Sequence, residues 1–130
     1  MVRELRLVVT VPDYDEALAF YRDALGMPVE AVFESPGGHV TLLDAGRATL
    51  ELMDEANAAF VDEVEVGRRV AGHIRVALEV DDAAAATASA AQAGARVVAP
   101  PTRTPWGSLN ARLEAPGGLQ LTLFEELSGG

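Results

Sequence analysis

The segment Arg6-Leu7-Val8-Val9-Thr10-Val11-Pro12-Asp13 returns as Arg75-Val76-Ala77-Leu78-Glu79-Val80-Asp81-Asp82, 69 positions later (Arg6 to Arg75), and no other feature of this chain restricts its fold as tightly. Each copy is an alternating strand that runs into an aspartate, then a helical stretch, then a glycine, Gly26 in the first copy and Gly94 in the second. A repeat of this length predicts paired supersecondary modules. The 130 residues hold one such pair as a single domain over 1–130, large enough to bury a real core.

Alternation assigns the faces. Leu5, Leu7, Val9 and Val11 point one way and Arg6, Val8 and Thr10 the other, which suits a sheet with one helix-covered face. The leucine and valine side is therefore expected to be the core. Asp13 is placed to cap the following helix, with Glu16 three residues on, and Tyr14, Ala17, Leu18, Tyr21 and Leu25 recur at helical spacing as its buried stripe. Gly26 and Pro28 end that helix. Strands follow near Val29–Glu34, His39–Leu43 and Ala48–Met53, separated by turns at Pro36-Gly37-Gly38 and Asp44-Ala45-Gly46.

The second copy repeats this order. Ile74, Val76, Leu78 and Val80 are expected on the core face, Asp82 caps an alanine-rich helix ending at Gly94, and Pro100-Pro101 marks an edge strand. Strands at Leu109–Leu113 and Leu119–Phe124 flank a turn at Ala115–Gly118, and Ser128-Gly129-Gly130 should fray. The class is α+β, with two tandem βαβββ modules whose curled sheets enclose a cleft. Module one covers about 1–54, a linker 55–72, and module two about 73–127. The linker reads as partly helical around Ala56–Phe60 and then acidic, a solvated connection or an arm reaching a second subunit.

Charge and composition narrow the partners. A formal net charge of −10, from 20 acidic and 10 basic residues, argues against nucleic acid and anionic membrane surfaces. With no long apolar run and no signal-like N-terminus, a cytoplasmic protein is expected. The absence of cysteine excludes disulfides, thiolate metal ligands and a thiol nucleophile, and leaves His39 and His73 as the imidazoles.

Several stretches together resemble the vicinal oxygen chelate superfamily, the glyoxalase, bleomycin-resistance and extradiol-dioxygenase group. They are Val11-Pro12-Asp13, Ala19-Phe20-Tyr21-Arg22-Asp23-Ala24-Leu25-Gly26, Leu50-Glu51-Leu52 after Gly46, Val80-Asp81-Asp82, and Ala115-Pro116-Gly117-Gly118 before Leu121-Thr122-Leu123-Phe124. The resemblance implies a cleft between the modules and commonly a homodimer. It also implies that metal-dependent members hold a divalent ion at positions matching Arg6, Glu51, Arg75 and Thr122. Only Glu51 is a normal ligand there, because a guanidinium has no free lone pair and stays protonated. No bound metal and no cofactor are therefore expected, since a zinc or divalent-iron site usually takes three good protein ligands.

The residues themselves allow two uses of this face. Arg6, Glu51 and Arg75 could form an ion network bracing the strands, or one arginine could stay free to bind a carboxylate, phosphate or carbonyl oxygen. Trp106, in a Pro-Trp-Gly loop, closes one end of the core or offers a wall to a planar ligand, and His39 could line the cleft mouth or face solvent. The first functional expectation is a metal-free, bleomycin-resistance-like binding protein for a planar or carbonyl-bearing small molecule, with Arg6, Glu51, Arg75, Trp106, Thr122 and His39 as ligand contacts. The alternative is a glyoxalase-like lyase, isomerase or dioxygenase in which Glu51 is metal ligand or general base, with Glu79 the candidate for a second carboxylate facing it. A third reading is an interaction module with no small ligand.

Overall fold

The computed structural model describes residues 1–116 and 118–127, so the fraying expected at Ser128-Gly129-Gly130 lies outside the described residues. In chain order the elements are β1 (Val2–Thr10), α1 (Tyr14–Leu18) continuing as a π-helical stretch (Ala19–Ala24), β2 (Val29–Ser35), β3 (Gly38–Asp44), β4 (Thr49–Met53) and α2 (Glu55–Glu65). Then come β5 (Ile74–Val80), α3 (Ala83–Gln92), β6 (Arg96–Arg103), β7 (Ser108–Glu114) and β8 (Gln120–Glu126). All strands join one eight-stranded sheet in the order β2-β3-β4-β1-β5-β8-β7-β6. The repeated strands β1 and β5 pair antiparallel at its centre, with β4 parallel to β1 and β8 parallel to β5. Two βαβββ units thus meet along their repeated strands, and the sheet curls around a cleft.

Local chemistry fixes the helix entries. Asp13 accepts the Glu16 N–H at 3.0 Å and Asp82 the Ala85 N–H at 3.0 Å, so the aspartate ending each repeated strand satisfies an orphan donor of the next helix. On the outer face Tyr14, Ala17, Leu18 and Tyr21 pack with Val11, Leu43, Leu50 and Leu52, while Ala83, Ala86 and Ala90 pack with Val80, Ala111, Leu113 and Leu123. Leu25, expected in the buried stripe, is 56% exposed. The π-helical stretch changes the residue count per turn after Leu18, which rotates Leu25 off the face that a 3.6-residue period assigns to it. Pro100 and Pro101 lie in the edge strand β6, where a missing N–H costs no ladder bond.

Two expectations are corrected. The outer face of the central strands is core only in part: Val11 and Val80 are buried there with Val9 and Leu78 packed beside them, but Leu5, Leu7 and Ile74 are exposed, because α1 and α3 cover β4 and β3 on one side and β7 and β8 on the other. The opposite face carries a core of its own, in which Val8, Val40, Leu42, Met53, Ala58, Ala77 and Phe124 cluster. That face is covered by α2, the segment read as a solvated connection. Its own residues Asn57, Ala58, Val61, Asp62 and Glu65 are all buried against the sheet side. Its start lies so close to β3 that a Cβ on Gly38 would sit 2.5 Å from the Asn57 nitrogen, which explains a glycine at that position.

An ion-paired hub fastens α2. Both Nη atoms of Arg112 on β7 donate to Asp62 Oδ1 at 2.8 Å, while Asp62 Oδ2 accepts from Arg69 Nη1 at 2.9 Å and from the Val70 and Ala71 N–H groups at 2.8 Å. These five donors satisfy the lone pairs of a carboxylate that is 1% exposed and tie α2 to β7 and to the segment before β5.

Candidate functional site

Register places the chemistry. Val8 of β1 pairs with Glu51 on one side and Arg75 on the other, so these three residues form a row across β4, β1 and β5 on the cleft face. With strands about 4.8 Å apart, the Cα atoms of Glu51 and Arg75 are roughly 10 Å apart with only a valine between. The row beside it runs Thr49, Arg6, Ala77, Thr122 and Arg112. Glu51 and Arg75 of the first row and Arg6, Ala77 and Thr122 of the second, together with α2, line a cleft of about 340 Å³. Arg6, Glu51, Arg75, Trp106 and Thr122, the residues picked out by sequence, all line it, joined by Phe33, Phe60, Phe124, Glu65 and Asn110.

His39 does not line the cleft. It stacks on Tyr14 at 5.4 Å between ring centroids, and its Nδ1 lies 3.1 Å from Asp54 Oδ2. It shares the parity of Thr41 and Leu43, whose side chains face α1, and not that of Val40 and Leu42. Glu79 is absent from the lining as well. The second carboxylate comes instead from Glu65 on α2, where strand parity gave no signal because the residue is not on a strand.

Of the two uses open to Arg6, Glu51 and Arg75, the mutual ion network does not form among the described residues. Arg6 donates through Nε to Glu4 at 3.0 Å, lies 3.9 Å from Glu126, and sits over the Phe124 ring at 4.8 Å. Burial opposes its charge, but Glu4 with Glu51 and Glu126 outweighs this and raises its pKa. Arg75 is 6% exposed, and its one hydrogen bond among the described residues runs from Nη1 to Thr122 Oγ1 at 2.6 Å. Its Nε is buried without a partner, and no carboxylate lies within 4.0 Å of it among the described residues.

Glu51 makes no ion pair or hydrogen bond among the described residues, although the fields of both arginines reach it. Burial pushes its carboxyl above the usual carboxylate range against the pull of Arg75 and Arg6, and the negative charge of Glu4 adds to the rise. Burial also raises Glu65, opposed by Arg75, Arg112 and the Asn110 amide, which donates to Glu65 Oε2 at 2.7 Å. The cleft thus presents two carboxyls that hold their protons unusually well beside an arginine with free donors.

The donor set does not fit a divalent cation. Of the four positions implied by the resemblance, two are guanidiniums and Thr122 is already engaged with Arg75. Among the described residues no group of three or more histidine, cysteine, aspartate or glutamate side chains converges.

A family model described as Glyoxalase/Bleomycin resistance protein/Dioxygenase superfamily matches residues 5–123. The chain belongs to this superfamily. Similar solved structures include a hypothetical protein from Bacillus halodurans C-125 with TM-score 0.72 and 16% identity, covering 96% of this chain and 94% of that one. A methylmalonyl-CoA epimerase in complex with methylmalonyl-CoA and NH4+ has TM-score 0.69 and 22% identity, covering 98% of this chain and 96% of that one. The methylmalonyl-CoA epimerase from Mycobacterium tuberculosis has TM-score 0.69 and 23% identity, covering 96% of this chain and 89% of that one. At these identities the likeness is one of fold. No curated protein sequence matches the chain. Within the superfamily fold this member places two arginines on the cleft face of its repeated strands, and no helix among the described residues is long and apolar enough to cross a membrane.

Proposed function

We propose that this superfamily member is an isomerase- or lyase-type enzyme that moves a proton at a carbon next to a carbonyl, with Glu51 as the base. The observation that carries this reading is Glu51 itself, an unpaired carboxyl on the cleft floor whose pKa is raised by burial and which stands one residue across from Arg75. A carboxylate whose pKa is raised is a stronger base and takes a carbon-bound proton more readily. In the forward step the carboxylate of Glu51 takes the proton, the C–H electron pair becomes the C=C bond, and the carbonyl π pair moves onto oxygen. The enolate so formed is stabilised by the Arg75 donors, which do not need to reorganise to meet it. Return of the proton from Glu51 to a different carbon completes an isomerisation, and departure of a leaving group from the enolate completes an elimination. That epimerases are among the similar folds agrees with this reading.

Hydrogen–deuterium exchange tests it. In D2O the protein should exchange the α-hydrogens of 2-oxo acids or acyl thioesters, followed by proton NMR, and Glu51→Gln should slow exchange by about 10²–10⁴-fold. Exchange unchanged in the variant would remove Glu51 from the chemistry. Sequestration without reaction, in the manner of a bleomycin-resistance protein, draws on one observation, the tilted Phe60 and Trp106 rings 6.3 Å apart in the cleft lining. Tight binding of a planar compound with no exchange of any carbon acid would favour it.

A further inference from the structure

We propose that the ligand is a planar monocarboxylic acid, its carboxylate seated on Arg75 and its apolar body lying against Phe60 and Trp106. This rests on the reading above only in placing the ligand in the same cleft. Three arginines serve the cleft side of the sheet, and their partners differ. Arg112 is paired with Asp62 and Glu65, and Arg6 is engaged by Glu4 and by the face of Phe124. Arg75 alone is buried with an unpartnered Nε and a single hydroxyl on Nη1. A guanidinium donates through a planar fork, and the group that satisfies two parallel donors at once is a carboxylate.

The remaining lining limits charge and shape. Glu51, Glu65 and Glu126 also face the cleft, and Arg6, the other cation in its lining, is already engaged by Glu4 and Phe124, so a second negative charge on the ligand would find no free cation. Thr122, beside Arg75, lies four residues before Glu126 on β8, and Glu126 pairs with Ser108 just after Trp106. At about 3.3 Å per residue the anion pole and the aromatic mouth are therefore roughly 13 Å apart along the strand. Phe124 lies between them on β8 and gives the floor an apolar ring, with Ala77 level with Thr122 at the anion pole. One charged end, a flat apolar body and a single negative charge describe an aryl-substituted acid.

Quenching of Trp106, the sole tryptophan, reports binding directly. Phenylpyruvate, its neutral methyl ester and phenyl phosphate would be titrated into the full chain. Phenylpyruvate should saturate the signal, with the ester and the phosphate at least tenfold weaker. Arg75→Gln should cost the acid at least tenfold and the ester little, and Arg75→Lys should fall between. An ester that binds as well as the acid, or no saturable binding of the acid, overturns the proposal in the unaltered protein, whatever the variants' folding. Acid binding without deuterium exchange would leave this proposal standing and remove the enzymatic reading. Exchange of neutral carbonyl compounds with no preference for the acid would do the reverse.

Discussion

Arg6 and Arg75 occupy the same place in the two copies of the repeat, yet one is paired and the other is not. Two residues before Arg6 stands Glu4, which accepts its Nε; two before Arg75 stands His73, whose Nδ1 turns to the Thr10 carbonyl at 2.9 Å. Across the sheet, the position of Glu51 in the first copy is taken by Thr122 in the second, since Glu51 pairs with Val8 and Thr122 with Ala77, 69 positions apart. The repeat therefore fixes where each arginine points, while the non-repeated neighbours decide whether its charge is spent. In the first half it is spent within the protein. The second half leaves it available, and across Val8 from it the first half leaves Glu51 without a partner.

Removing the anchor of α2 should have the largest effect. Asp62→Ala strips Arg112 of its nearer partner in the buried hub, leaving it the longer pair with Glu65, and should cost about 3–5 kcal/mol in chemical denaturation. A loss under 1 kcal/mol would mean that α2 is not held on the cleft by this hub. The arginine contrast itself is sharpened next. Arg75→Met removes a buried charge that has no counter-ion and should be neutral or stabilising by about 1–4 kcal/mol, whereas Arg6→Met breaks a partly buried pair and should cost roughly 1 kcal/mol. Strong destabilisation by Arg75→Met would identify that arginine as a brace.

Titration tests Glu51. Its native pKa is raised above the ordinary value of 4.5, so the unfolded chain releases this proton first and the native state binds more protons as pH rises from there. The contribution of Glu51 to stability is therefore fully favourable below about pH 4.5 and is lost as pH climbs through its raised native value. Relative to the parent, Glu51→Gln should gain stability progressively above pH 4.5, read as a widening gap in denaturation midpoints. A gap that stays constant with pH would show that the carboxyl is not desolvated. The smallest effect belongs to His39, which is off the cleft: His39→Ala should change stability by about 1 kcal/mol or less and leave quenching by phenylpyruvate unaltered.

Much of this was legible in the sequence because a repeat and a period of two are local patterns. They placed Arg6, Glu51, Arg75 and Thr122 on one face, and the structure shows that face lining the cleft. Pairing was not legible, because Glu4 and Arg6 share that face two residues apart while Glu51, expected between the arginines, is held away from both. Burial on the cleft side was not legible either. An acidic segment containing Asp62, Glu63 and Glu65 reads as solvated, yet Asp62 and Glu65 go inward because Arg112 and Asn110, 50 and 45 residues further on, receive them. The linker reads as partly helical around Ala56–Phe60, and the signal that could have shown its inward face was the apolar pair Ala58 and Val61, at helical spacing with Asp62 and Glu65. The π-helical stretch left no mark in the periodicity at all.

Nitrogen-15 NMR of the arginine Nε–H groups, recorded while phenylpyruvate is added to the full chain, tests the asymmetry of the two arginines most directly. The Arg75 resonance should move to saturation while that of Arg6, assigned by its substitution, stays in place. Movement of Arg6 with Arg75 unchanged, or of neither, would contradict the conclusion that the second half of the repeat supplies the free pole of this cleft.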